Sequence, residues 1–208
     1  MRRARSGNTM KITTETLETH MPDPVLQIVI GSTRPGRAGG PVAAWFAEQA
    51  RAHGGFTVEV VDLAEVALPM FDEPNHPMTG KYVHDHTEAW SETVRRASAY
   101  VFVTPEYNNG YPAPLKNAID YLNAEWRDKP VGFVSYGGVS AGTRAVAQLK
   151  QVVTTLRMVP VQDAVNIPFI QQFVADGVLT PNDVMTSASK VMLDELVKLS
   201  TALSAIRD

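Results

Sequence analysis

Two arginines, two hydroxyls and four glycines crowd into one stretch of this 208-residue chain, Gly31-Ser32-Thr33-Arg34-Pro35-Gly36-Arg37-Ala38-Gly39-Gly40-Pro41. Small residues let backbone N–H groups approach a ligand, and the Ser32 and Thr33 hydroxyls can donate to phosphate oxygens. Arg34 and Arg37 add charge-assisted bonds, and no acidic residue stands beside them in sequence. That set suits a terminal phosphate dianion. It matches neither G-x-G-x-x-G nor G-x-x-x-x-G-K-[ST], and the missing lysine argues against a nucleoside triphosphatase.

A second stretch, Thr104-Pro105-Glu106-Tyr107-Asn108-Asn109-Gly110-Tyr111, combines a rigid proline with turn-forming Asn and Gly. It predicts a loop held open, with N–H and C=O groups able to grip the polar edge of a flat heterocycle and with ring surface from Tyr107 and Tyr111. Alone, it reads equally well as a simple closure onto the next helix. A third stretch, Ser135-Tyr136-Gly137-Gly138-Val139-Ser140-Ala141-Gly142, permits close approach to a planar ligand, with Ser140 as cap of the helix that follows.

The elements that must hold these stretches follow from periodicity. Val25 to Ile30, Phe56 to Val61, Tyr100 to Val103, Val131 to Val134 and Val159 to Val165 read as strands. Helices are expected over 41–53, 84–97, 111–123 and 140–156, and from a Thr180 cap to about Ile206. Residues 63–80 read as a proline-rich loop. Five strands alternating with five helices imply a parallel sheet with helices on both faces. Ligands of such sheets bind beyond the carboxyl ends of the strands, where all three stretches then fall.

Composition narrows the rest. Apolar residues are 44% and charged residues 20%, enough for one well-packed domain, expected over 25–208 behind a flexible extension over 1–24. The net charge of −3 argues against a protein that coats nucleic acid or anionic membrane. The absence of cysteine excludes disulfides, thiolate catalysis and cysteine-bound metals. No apolar run follows Arg2, Arg3, Arg5 and Lys11, so a cytoplasmic location is expected. His84 and His86 stand two apart, on different faces of the expected helix, and read as solvated or interfacial rather than as metal ligands. Lys116 and Asp120 form an intrahelical pair or an intersubunit one, and Trp126 and Arg127 read as packing or subunit contacts.

Gly31-Ser32-Thr33-Arg34, then Pro105-Glu106-Tyr107-Asn108 followed by Pro114 to Asp120, then Tyr136-Gly137-Gly138 resemble the NADPH-dependent FMN reductase family over residues 25 to 165. The resemblance implies a flavodoxin-like three-layer α/β sandwich with strand order 2-1-3-4-5, and a homodimer or homotetramer. It implies FMN phosphate at Ser32, Arg34, Arg37 and the Gly39-Gly40 backbone, with Thr33 as a further donor. It implies ring contacts from Pro105, Glu106, Tyr107 and Asn108, and from Tyr136, Gly137 and Gly138. Tyr82, Asn109 and Tyr111 are the expected lining of the acceptor pocket, Tyr82 from either subunit. Where members often carry a further hydroxyl or Asn, this chain has Ala38 and Gly39, which leaves backbone N–H groups and Arg37 to hold the phosphate.

The reaction so implied is ping-pong hydride transfer from NADPH or NADH through FMN to a quinone-like, azo or flavin acceptor. The protein would need no metal and no nucleophile; the Gly137 and Gly138 N–H groups would face the flavin, and Tyr107 or water could assist protonation. Three rivals stay open on sequence alone: a flavodoxin-type electron carrier, a flavin-binding, redox-regulated interaction protein, and a flavin-free nucleotide-binding protein.

Overall fold

The computed structural model describes residues 24–207; residues 1–23 of the expected extension lie outside them. The chain order is β1 (Val25–Ile30), α1 (Gly39–His53), β2 (Thr57–Asp62), α2 (Leu63–Val66), α3 (Asp85–Arg95), β3 (Ala99–Pro105) and α4 (Ala113–Asp120), then β4 (Pro130–Tyr136), α5 (Thr143–Thr155), β5 (Val159–Pro160), β6 (Val165–Ile167), β7 (Val174–Ala175), β8 (Val178–Leu179) and α6 (Asp183–Ser204). The main sheet is parallel in the order β2-β1-β3-β4-β5, with β6 also on β4.

Strand periodicity sorts the side chains into two cores. Along β3, Ala99, Val101 and Val103 face one layer while Tyr100 and Phe102 face the other. The first layer packs Trp45 and Phe46 of α1 with Met192 and Leu196 of α6. The second packs Trp90 of α3, Leu115 and Ile119 of α4, and Leu149 of α5. Both β3 and β4 are buried throughout. Strands covered on both faces explain their unbroken apolar runs.

Several boundaries differ from expectation for local reasons. The expected fifth strand is two strands, because Val131 pairs with Pro160 while Val134 pairs with Val165, so the edge carries two extra residues. The expected loop over 63–80 begins with the one-turn α2, capped by Asp62, whose carboxylate accepts from the Ala64 N–H at 2.9 Å. Ser140 does not cap α5. The cap is Gly142, at φ +82°, and the Ser140 hydroxyl turns instead to Glu106. A methyl at Gly142 would meet Ser135 Cβ at 2.8 Å, so that turn admits only glycine. Nor does Thr180 cap α6. Its N–H donates to Phe173 O at 2.8 Å, and Asn182 caps the helix by accepting from Met185 N–H at 2.9 Å.

The histidine pair also differs. His84 precedes α3, so its ring can stack on that of His86 with centroids 5.1 Å apart. His86 meets Asp72 at 3.0 Å. No group of three metal-ligating side chains occurs among the described residues. Lys116 and Asp120 pair within α4.

Lys129 immediately precedes β4 and is buried. Its ammonium donates to Val94 O at 3.1 Å, Arg95 O at 3.3 Å and Tyr100 Oη at 3.2 Å, so it closes the carboxyl end of α3. Burial, with Arg207 and Arg95 nearby, pushes its pKa down to about 7 against the opposing pull of Glu125. A lysine in the unfolded chain titrates near 10.4, so between these values the unfolded chain binds the extra proton. Folding stability should therefore rise as pH climbs from about 7 toward 10. Urea titrations at pH 7 and pH 9 check this; in Lys129→Met the rise should be absent.

Candidate functional site

A cavity of about 710 Å³ opens at the carboxyl ends of β1, β3 and β4. Its first wall is the β1–α1 loop, with Arg34, Arg37 and Ala38. The parallel register sets Ile30 of β1 opposite Asp62 of β2, and Arg37 forms an ion pair with that carboxylate. The two arginines are thus not alike. Arg34 is exposed at the rim and pairs with no carboxylate among the described residues, whereas Arg37 is oriented by Asp62. Arg37 Nε is nonetheless buried without a hydrogen-bond partner.

The start of α1 supplies further donors. Its cap is Ala38, which makes no side-chain cap, and its first turn has no acidic residue. The Gly39 and Gly40 N–H groups make no bond within the described residues. A methyl at Gly39 would lie 3.0 Å from both Ile30 Cγ2 and the Tyr136 hydroxyl, so this glycine lets α1 approach β4. The Tyr136 hydroxyl is itself buried and unpartnered. Burial raises its pKa, as does Tyr107, with Arg37 and Arg34 pulling the other way; the phenol stays protonated and can donate.

The second wall comes from β3 and its loop, with Pro105, Glu106 and Tyr107. The Tyr107 hydroxyl lies 2.7 Å from the Ser32 hydroxyl. Ser32 is fully buried and also accepts weakly from the Arg34 N–H at 3.4 Å, so it ties two loops together instead of facing the cavity. The loop itself is not open. Tyr107 N–H donates to Gly110 O at 2.8 Å and Gly110 N–H returns a bond at 3.0 Å. Asn108 and Asn109 form the tip at φ +50° and +68°, the geometry of a tight two-residue turn. Neither lines the cavity, and Asn109 O accepts from Gln148 Nε2 at 2.9 Å.

The third wall is Tyr136-Gly137-Gly138. The Gly137 N–H is already spent on Ile167 O at 3.2 Å, extending the β4–β6 ladder. Gly138 alone of the pair keeps an N–H without a backbone partner among the described residues. Its carbonyl accepts from Phe169 and Ala141, which fixes the loop.

A fourth wall escaped the sequence reading. Ile170, Gln171, Val174 and Gly177 close the cavity from the segment that carries the β7–β8 hairpin. The signal was present as Asp176-Gly177 between two apolar pairs, a two-residue hairpin turn. Besides Ser32, Asn108 and Asn109, three expected contributors lie elsewhere. Thr33 lines a separate cavity of about 340 Å³ between α2 and α4. The Tyr82 hydroxyl bonds both oxygens of Glu125 at 3.1 Å. Tyr111 is half-buried against the second core.

Electrostatically the cavity favours an anion. Its one lining carboxylate, Glu106, is matched by Arg144 of α5, and Asp62 by Arg37, which leaves Arg34 and the α1 N-terminus in excess.

Comparison with known proteins follows the same lines. A family model described as NADPH-dependent FMN reductase matches residues 25–172. A curated NAD(P)H-dependent FMN reductase of Schizosaccharomyces pombe (strain 972 / ATCC 24843) is 41% identical over 162 residues, covering 76% of this chain and 80% of that protein. A quinone reductase of Escherichia coli (strain K12) is 36% identical over 144 residues, covering 63% and 71%. Among solved structures, a flavoenzyme NAD(P)H:(acceptor) oxidoreductase from Paracoccus denitrificans superposes with a TM-score of 0.66 at 21% identity, over 86% of this chain and 98% of that one, which shows a common fold.

Proposed function

The chain belongs to the NADPH-dependent FMN reductase family, a family of oxidoreductases, and on that premise we propose that its four-walled cavity binds FMN and serves NAD(P)H and a quinone-like, azo or flavin acceptor in turn. The observation that carries the reading is a set of unspent donors on residues that line the cavity, Arg37 and Tyr136, and on Gly39 and Gly40, which do not line it but stand between its lining residues Ala38 and Pro41. Arg37 Nε and Tyr136 Oη are buried without partners, and the Gly39 and Gly40 N–H groups start a helix with no cap. Buried donors left empty are costly, and a phosphate dianion satisfies several at once.

In this assignment Arg34, Arg37 and the α1 N-terminus hold the phosphate, and Asp62 orients Arg37 through their ion pair. Ser32 holds Tyr107 in place rather than the phosphate. The cavity edges of Pro105, Glu106, Tyr107 and Tyr136 bound the ring, and the Gly138 N–H is the free backbone donor of its loop. Tyr107, 38% exposed, is the side chain assigned to assist protonation. When bound, FMN supplies the two-electron chemistry that no side chain here provides.

One shared face for donor and acceptor implies ping-pong kinetics. The FMN-loaded protein should give parallel double-reciprocal lines when NADPH is varied at several fixed concentrations of a soluble quinone. Intersecting lines would overturn the shared face. A flavin-loaded protein that oxidises no NADPH or NADH with any such acceptor would instead be the electron carrier. A cytoplasmic homodimer or homotetramer is part of the same proposal. No helix among the described residues is long and apolar enough to cross a membrane, and exposed Met70, Phe71, Met78 and Val83 offer apolar surface of the kind subunit contacts cover.

A further inference from the structure

Glu106 is a carboxylate at the wall of a cavity that, on the reading above, takes a polyanion. Only 6% of its side chain is exposed. Left alone, such a group would repel phosphate and any negative charge gained on reduction. Its surroundings remove that problem. Arg144 Nε donates to Glu106 Oε1 at 2.7 Å and the Arg144 backbone N–H donates to Oε2 at 3.1 Å. The Ser140 hydroxyl donates to Oε1 at 2.9 Å, and Arg144 Nη2 reaches that hydroxyl at 3.0 Å. The carboxylate of the β3 loop is therefore clamped to the first turn of α5, across the loop that carries Gly137 and Gly138.

We propose that Arg144, outside the cavity lining, is a positioning residue that holds Glu106 as one half of a closed ion pair, so that the 105–107 and 137–138 walls keep their spacing and the cavity shows no free negative charge. This rests on FMN occupying the cavity. The other charged and titratable groups lining the cavity with Glu106 are Arg34 and Arg37 on the β1–α1 loop and Tyr107 and Tyr136 beside it. None of these is hydrogen-bonded to the carboxylate among the described residues, so Arg144 is its cationic partner. Burial works against ionisation of Glu106, but the Arg144 and Ser140 hydrogen bonds outweigh it and hold its pKa below the usual glutamate value.

Arg144→Gln separates this role from plain support of the helix. In that variant Glu106 keeps the Ser140 hydroxyl and the backbone N–H of residue 144 but loses its cation, and is harder to ionise with FMN bound than without it. Affinity should then fall as pH rises, by about tenfold for each pKa unit between the two states. In the wild type Arg144 keeps Glu106 ionised throughout. FMN affinity is measured by quenching of flavin fluorescence from pH 6 to 8.5 for both proteins. Their ratio cancels the titration of the phosphate itself. The proposal expects a ratio that grows with pH, and it expects Glu106→Gln/Arg144→Gln to bind within about threefold of Glu106→Gln alone, because neither variant holds an unpaired buried carboxylate and Arg144, 55% exposed, is solvated when it loses its partner. A ratio independent of pH overturns it. If Arg144→Gln does not fold, the comparison of the double variant with Glu106→Gln decides, and a loss well above threefold overturns the proposal. A wild type that takes up no FMN would overturn the cofactor reading itself.

Discussion

Arg34→Ala should weaken FMN binding by about 1.5–3 kcal/mol, one to two powers of ten in Kd, without lowering the melting temperature of the flavin-free protein. The size follows from a charge-assisted bond to phosphate. The lack of a stability effect follows from position, since Arg34 is exposed and pairs with no carboxylate among the described residues. Arg37 should behave differently. It is ion-paired to Asp62, which also caps α2, so Arg37→Ala frees a partly buried carboxylate and should reduce both affinity and stability. Fluorescence titration together with thermal unfolding of both variants checks the contrast. Unchanged affinity in Arg34→Ala would remove the phosphate from this loop.

Trp126→Ala should cost about 3–5 kcal/mol of folding stability, the range for emptying a buried aromatic site. Trp126 is 1% exposed and its ring meets Tyr100 at 5.0 Å, Trp90 at 6.1 Å and Phe102 at 6.2 Å between centroids. Its Nε1 donates to Ile119 O at 3.1 Å and so closes the carboxyl end of α4. For a chain of this size the loss corresponds to roughly 6–20 °C in Tm. Trp126→Phe keeps much of the ring contact but leaves the Ile119 carbonyl empty, and should cost about 1–2 kcal/mol. Circular dichroism melts check both. A loss under about 1 kcal/mol for the alanine variant would mean that the cluster repacks without a cavity.

Trp126 also shows where sequence reasoning stops. Its type and its place after a helix leave core packing and subunit contact equally open; only the fold folds it back onto Trp90 and Tyr100. The strands were legible because β1, β3 and β4 are covered on both faces and so carry unbroken apolar runs. Their alternation with helices placed three loops on one edge, and Arg34, Arg37, Tyr107 and Gly138 do meet at one cavity. What was hidden is pairing at a distance. Asp62 stands 25 residues from Arg37 and reaches it through the β1–β2 register. Arg144 stands 38 residues from Glu106 and reaches it because α5 starts beside the β3 loop.

Backbone bonds were equally invisible. Gly137 looks like a free donor until Ile167 is seen to occupy its N–H, and Asn108-Asn109 looks like an open loop until Tyr107 and Gly110 are seen to close it. In each case residue type states what a group can do, while tertiary pairing decides whether it is still available to do it.

The unspent donors at the carboxyl edge of the sheet are assigned to a flavin mononucleotide. The most direct test of that assignment is a visible spectrum of the purified protein before and after denaturation, with a titration of the flavin-free protein by added FMN. The expected result is a yellow protein that releases one FMN per chain on unfolding and, once stripped, quenches the fluorescence of added FMN until it is refilled. A colourless protein that leaves the fluorescence of added FMN unchanged would contradict it.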